Sequence, residues 1–80
     1  MKKIGLLGCG AIGTQIALAI DSGKIPGVLT HVYDFSKDAS ETLVQKLKNK
    51  PEIVANPHLL SSHPVDIIVE AASQEAVRNV

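Results

Sequence analysis

The chain has 80 residues, 45% of them hydrophobic and 20% charged, and eight basic side chains offset eight acidic ones. That length holds one small domain, which buries only about 60% of its unfolded surface, and the composition is that of an ordinary globular chain, neither disordered nor membrane-embedded. Balanced charge removes the electrostatic footprint of a nucleic-acid or anionic-membrane partner, and the single cysteine excludes an internal disulfide and suits a reducing compartment.

In chain order, the start has two lysines before an apolar stretch, an imitation of a signal peptide. Gly5, Gly8 and Gly10 interrupt that stretch and no small-residue cleavage site follows it. No run approaches the roughly 18 apolar residues of a membrane span, so a cytoplasmic location is expected. The first strand is expected at about Lys3 to Leu7. A helix follows from Ala11 to Ser22, with Ile12, Ile16, Ala19 and Ile20 as its buried stripe and Gly23 as its stop signal. Lys24 to Gly27 is a turn, and Val28 to Tyr33, rich in β-branched and aromatic residues, is the second strand.

Ser36 to Ser40 offers three candidate N-caps for a second helix, expected from Ser40 to Asn49. That helix would bury Leu43, Val44 and Leu47, show Lys46, Lys48 and Lys50 to solvent, and end at Pro51. Ile53 to Ala55 reads as a short third strand, and Pro57 to Ser62 as a loop or one helical turn. Val65 to Val69 is a continuous apolar run broken only by Asp66, the pattern of a fully buried strand in a parallel sheet. Ser73 then resembles an N-cap, with Glu75 in the first turn of a further helix.

The chemistry is concentrated in Gly8-Cys9-Gly10-Ala11-Ile12-Gly13, which lies between the first strand and the first helix, and in Asp34, which closes the second strand about 20 residues further on. A lone GxGxxG is weak; strand, glycine turn, helix, strand and acid together form the dinucleotide-binding fingerprint. Gly8 permits the tight turn, Gly10 offers no Cβ to block a pyrophosphate, and Gly13 lets the helix pack closely. The first-turn amides lack intrahelical partners and sit at the positive end of the helix dipole, where a diphosphate binds. Asp34 would accept hydrogen bonds from the adenosine ribose. The competing reading is a βαβ turn that binds nothing, with Asp34 as an exposed strand-end residue. The fold class is therefore α/β, a Rossmann-type doubly wound parallel sheet. Residues 1–80 are expected to form only its first half, an incomplete domain cut from a larger protein whose catalytic and substrate domain lies elsewhere.

The glycine motif, followed by Val69-Glu70-Ala71-Ala72-Ser73-Gln74-Glu75-Ala76-Val77, resembles the amino-terminal domain of the L-aspartate dehydrogenase family. The second segment carries most of the discrimination, since the glycine motif is shared by very many dehydrogenases. The resemblance implies oxidation of L-aspartate with NAD or NADP to iminoaspartate, yielding oxaloacetate and ammonia and feeding NAD biosynthesis. It implies that Gly8, Gly10, Ala11 and Ile12 line the pyrophosphate and that Asp34 holds the adenosine ribose with Phe35 beside the adenine. Ala71, Ala72 and Ser73 would lie against the nicotinamide ribose. The family's catalytic histidine has no counterpart here, so no catalytic residue and no metal ligand is assigned, and the 80 residues alone should be inactive. A substrate and a homo-oligomer would belong to the full-length protein.

Asp34 would repel a 2′-phosphate, which favours NAD; for NADP only Lys37 is at hand as a phosphate partner. Glu70 is either a residue of the active-site crevice or an acceptor for the amides of the next turn, the second being favoured. Cys9 lies near a helix N-terminus, where a thiolate is stabilised, but with no base in sight it reads as a space-filling side chain. His31 is expected to be packed, and His58 and His63 are too poorly accompanied to bind a metal. Two rival functions stand beside the leading one: another NAD(P)-dependent amino-acid or aldehyde dehydrogenase, and a non-enzymatic dinucleotide-sensing module.

Overall fold

Apolar strands alternating with amphipathic helices build the βαβ arrangement expected of such a pattern. A computed structural model describes residues 1–62 and 64–71. The elements are β1 (Lys3–Leu7), α1 (Ala11–Asp21), β2 (Val28–Tyr33), α2 (Lys37–Gln45), β3 (Glu52–Ile53), α3 (His58–Ser62) and β4 (Ile67–Glu70). All strand pairs are parallel, in the order β3-β2-β1-β4. The chain thus moves outward from β1 to β3 on one side, then crosses to place β4 on the other. Among the described residues no helix is long and apolar enough to cross a membrane.

The core joins Ile4 and Leu6 of β1 and Leu29 and Val32 of β2 to Ala17 and Ile20 of α1, with Leu43 and Leu47 alongside. Leu29 and Val32 are three apart, which regular pleating would send to opposite faces. The register slips between the pairs Ile4–Leu29 and Gly5–His31. The extra residue, Thr30, restores the phase, so both side chains reach the same core. On α1 the fully buried positions are Gly13, Ala17 and Ile20, while Ile12, Ile16 and Ala19 are half-buried. The face closest to the sheet is therefore rotated from the expected stripe onto smaller residues, which let the helix approach closely.

Three expected elements are displaced. The second helix runs from Lys37 to Gln45 instead of Ser40 to Asn49, because Ser36 is the cap that operates: its Oγ accepts from the Ala39 amide at 3.3 Å. Ser40 is instead fully buried inside the helix, its hydroxyl donating to the Lys37 carbonyl at 2.8 Å. The early end also has a cause. The Asp21 carboxylate accepts from the amides of Lys48 at 2.8 Å and Asn49 at 3.1 Å, drawing that segment out of the helix. Lys50 folds back, and its Nζ donates to the carbonyls of Val44 at 3.1 Å and Leu47 at 2.9 Å. It is a C-terminal cap as well as a solvated lysine.

The third strand is Glu52–Ile53, one residue earlier than expected. The fourth is Ile67–Glu70, and it is not fully buried: Ile67 is 45% exposed and Ile68 39%. Among the described residues β4 pairs only with β1 and stands at the edge of the sheet. Pairing is extended backwards by Asp66, whose amide donates to the Lys3 carbonyl at 2.7 Å and whose carboxylate accepts from the Lys3 amide at 2.8 Å. The first strand, the second strand and the short helical turn within Pro57 to Ser62 stand where the sequence puts them.

Candidate functional site

The carboxyl ends of β1, β2 and β4 meet at the glycine turn. The Gly8 amide donates to the Tyr33 carbonyl at 2.7 Å, and the Ala71 amide donates to the Leu7 carbonyl at 2.8 Å, so the end of β1 is tied on both sides. The chain leaves the strand through Gly8 at φ +105°, a conformation that side chains disfavour. Gly10 is the N-cap of α1, and its backbone is ordinary at φ −74°. Conformation therefore does not demand glycine there.

Gly13 has the tightest requirement. A Cβ on it would stand 2.0 Å from the Gly8 carbonyl oxygen and 3.6 Å from the Ala71 Cβ. The helix therefore packs directly against the turn and the end of β4, which only a glycine allows. The first intrahelical bond is from the Thr14 amide to the Gly10 carbonyl at 2.8 Å. The amides of Ala11, Ile12 and Gly13 precede it and have no carbonyl within the helix to reach. No side chain caps this end and no acidic residue lies in its first turn. A short run of backbone donors with the positive helix end behind it suits an anionic group.

Asp34 stands directly beside this turn, half-buried, and grips it. Its Oδ2 accepts from the Cys9 amide at 2.6 Å and its Oδ1 from the Ser36 amide at 2.7 Å. An ionised carboxylate offers about four lone-pair sites, so each oxygen keeps one for a further donor. Tyr33, Asp34, Phe35, Lys37, Ile53 and Ala55 line a cleft of about 430 Å³ at the ends of β2 and β3. Phe35 is 97% exposed on its rim.

Cys9 is buried, and burial, with the Asp34 carboxylate second, pushes its thiol up to about 12. Its Sγ lies 3.8 Å from the Tyr33 carbonyl, to which it donates. The helix end does not make it a thiolate, because desolvation and a neighbouring negative charge both oppose ionisation. It fills space beneath the turn. Thr14 braces the same turn, its Oγ1 donating to the Cys9 carbonyl at 3.3 Å.

The structure thus brings Gly8, Gly10, Ala11, Ile12, Gly13, Asp34, Phe35 and Ala71 to one end of the sheet. Ala72 and Ser73 lie outside the described residues, as does His63. Glu70 ends β4 opposite Leu7, exposed. His31 is half-buried, with Nδ1 2.9 Å from the Thr30 hydroxyl. Among the described residues no cluster of three or more His, Cys, Asp or Glu could hold a metal. The grip of Asp34 on the two backbone amides is absent from the sequence reading. Half of it has a local signature, because an Asp accepting from the amide two residues on is an Asx turn and announces the Ser36 cap. The contact with Cys9 has none, since it joins the ends of two strands 25 residues apart in the chain.

Comparison with known proteins agrees with this geometry. The family model described as "Homoserine dehydrogenase, NAD binding domain" matches residues 8–80. The whole chain is 74% identical to a protein of Nitrosopumilus maritimus named L-aspartate dehydrogenase, 46% to one of Methanococcoides burtonii and 34% to one of Methanothermobacter thermautotrophicus, both of the same name. It spans about 29% of the length of the first two and 30% of the third. No solved structure matches the chain. The glycine turn, the parallel half-sheet and the matching family model lead to one assignment: the chain belongs to the homoserine dehydrogenase NAD-binding domain family.

Proposed function

We propose that these residues are the cofactor-binding part of an L-aspartate dehydrogenase, a cytoplasmic enzyme whose substrate-binding and catalytic residues lie outside them. The observation that carries this reading is the 74% identity, over the entire chain, to a protein of that name. The donor set supports the cofactor. The free-ended amides of Ala11, Ile12 and Gly13, opened by Gly10, would hold the pyrophosphate. The remaining lone pairs of Asp34 would accept from the adenosine ribose hydroxyls. Phe35 would lie along the adenine, and Ala71, Ala72 and Ser73 would border the nicotinamide ribose at the end of the fourth strand, where such sheets bind ligands.

The chemistry supplied by the bound dinucleotide is acceptance of a hydride from the aspartate Cα. The residues of this chain orient and neutralise. Gly8 and Gly13 set the distance between helix and sheet, the helix end balances the diphosphate charge, and Asp34 selects a ribose with free hydroxyls. A 2′-phosphate would meet the Asp34 carboxylate with only Lys37 at hand to offset it, so NAD is the favoured form.

The description of the matching family favours one competing reading, a dehydrogenase of homoserine or a related alcohol. Assay of the intact protein with NAD and either L-aspartate or L-homoserine separates the two. L-aspartate-dependent formation of reduced cofactor with release of ammonia is expected. Turnover of L-homoserine alone would overturn the proposal, and binding of dinucleotide without turnover of either would favour a sensing module.

A further inference from the structure

We propose that Asp34 is a positioning residue for the glycine turn, in addition to the ribose acceptor described above, and that it locks the pyrophosphate-facing and ribose-facing loops into one unit. The proposal deepens the cofactor reading and rests on it. Its ground is the pair of short bonds from one carboxylate to two backbone amides in different loops: Cys9, at the heart of the β1–α1 turn, at 2.6 Å, and Ser36, at the start of α2, at 2.7 Å. These residues are far apart in sequence, and no other side chain among the described residues bridges the two turns in this way.

Hydrogen bonds from amides to an ionised carboxylate are roughly twice as strong as neutral ones. Each arm has a second anchor. Tyr33, the residue before Asp34, accepts the Gly8 amide at 2.7 Å, and Thr14 donates to the Cys9 carbonyl at 3.3 Å. At the other arm Ser36 caps α2 through Ala39. Cys9 is therefore held by both its amide and its carbonyl, which sets the direction in which the following amides, Gly10 onward, emerge. An asparagine in place of Asp34 keeps the shape but offers a single acceptor oxygen. Its NH₂ group would face an amide donor, so one arm must open. The prediction is specific. Removing the charge weakens binding at the diphosphate, a group that Asp34 does not itself touch.

The test compares wild type and Asp34→Asn in the intact protein. Calorimetric titration uses NAD and an NAD analogue lacking both hydroxyls of the adenosine ribose; amide hydrogen exchange is followed at Cys9 and Ser36 without ligand. A pure ribose acceptor predicts that the variant binds NAD as weakly as wild type binds the analogue, with analogue affinity unchanged. The positioning role predicts that the analogue also loses about tenfold or more in affinity, with faster exchange at Cys9, Ser36 or both. Unchanged analogue affinity, or unchanged exchange at both amides, overturns the proposal. Scalar coupling through the hydrogen bond, from the Cys9 and Ser36 nitrogens to the Asp34 carboxyl carbon, is read in wild type alone. It decides the grip even if the variant does not fold, and its absence at both amides also overturns the proposal. Failure of wild type to bind NAD would sink the cofactor reading, an outcome distinct from loss of the grip.

Discussion

The glycine turn and the fourth strand sit side by side at the same end of the sheet, yet they are built differently. At the turn, the groups that leave the strand are engaged, while the first amides of α1 stay open. Gly8 is tied to Tyr33, Cys9 to Asp34 and to Thr14, and Gly13 sits where no Cβ would fit. On β4, hydrogen bonding to β1 is complete while Ile67 and Ile68 remain substantially exposed. The turn is assembled from contacts with the ends of both neighbouring strands, Tyr33 and Asp34 on one side and Ala71 on the other. Among the described residues the strand has its backbone partner on one side and only partial side-chain cover. The turn is completed by hydrogen bonds that the meeting strand ends supply, whereas a strand at a sheet edge needs a further layer to bury its apolar residues.

The largest effect expected from breaking this contrast is at Gly13. Gly13→Ala places a methyl 2.0 Å from the Gly8 carbonyl oxygen, a backbone atom that cannot swing aside. Helix and turn must separate, at a cost of about 3 kcal/mol or more, and dinucleotide binding should fall beyond detection. Thermal unfolding and calorimetric titration of the variant check both, and an unchanged transition would refute the close packing.

A paired substitution sharpens the comparison at intermediate size. Leu6→Ala removes a fully buried side chain from the core beside the turn and should cost about 2–5 kcal/mol. Ile68→Ala, on the exposed strand, should cost about 1 kcal/mol or less in this chain. Chemical denaturation measures the two, and equal costs would mean that β4 is covered as well as β1.

The smallest effect concerns acid. Two amide hydrogen bonds, from Lys48 and Asn49, hold the Asp21 carboxyl below its ordinary value of 3.8. A carboxylate depressed in the folded state stabilises fully above its unfolded value and loses that contribution as pH falls through the folded one. Acid denaturation should therefore begin to erode the α1–α2 junction below about pH 4. In Asp21→Asn that acid-dependent part should vanish, leaving a flatter stability profile between pH 4 and 2 in denaturant titrations; an unaltered slope would show that Asp21 does not hold the 46–50 segment.

Much of this was legible in the sequence because it rests on local chemistry. Apolar runs placed β1 and β2, and glycine spacing placed the turn between β1 and α1, where backbone sterics leave few alternatives. The second helix was misplaced because Ser36, Asp38 and Ser40 are equally good caps by type. The choice depended on which serine the sheet would bury, and its far end depended on Asp21, on another helix. Full burial was expected of β4 because an apolar run records the environment a strand is suited to, while exposure depends on which neighbours are in place. Cys9 was assigned a filling role correctly, but the ionisation of its thiol depended on burial and on the carboxylate brought beside it.

By itself the sequence determined the alternation of strands and helices, the glycine turn and the acid at the end of the second strand, because each follows from side-chain size, backbone freedom and periodicity over a few residues. Only the tertiary structure decided that Asp34 binds Cys9 at the end of the neighbouring strand, that Thr30 bulges to bring Leu29 and Val32 into one core, and that Asp21 and Lys50 end α2. The Asp34 and Asp21 contacts join groups 25 or more residues apart, the bulge depends on the register with β1, and none of these distances exists until the chain has folded.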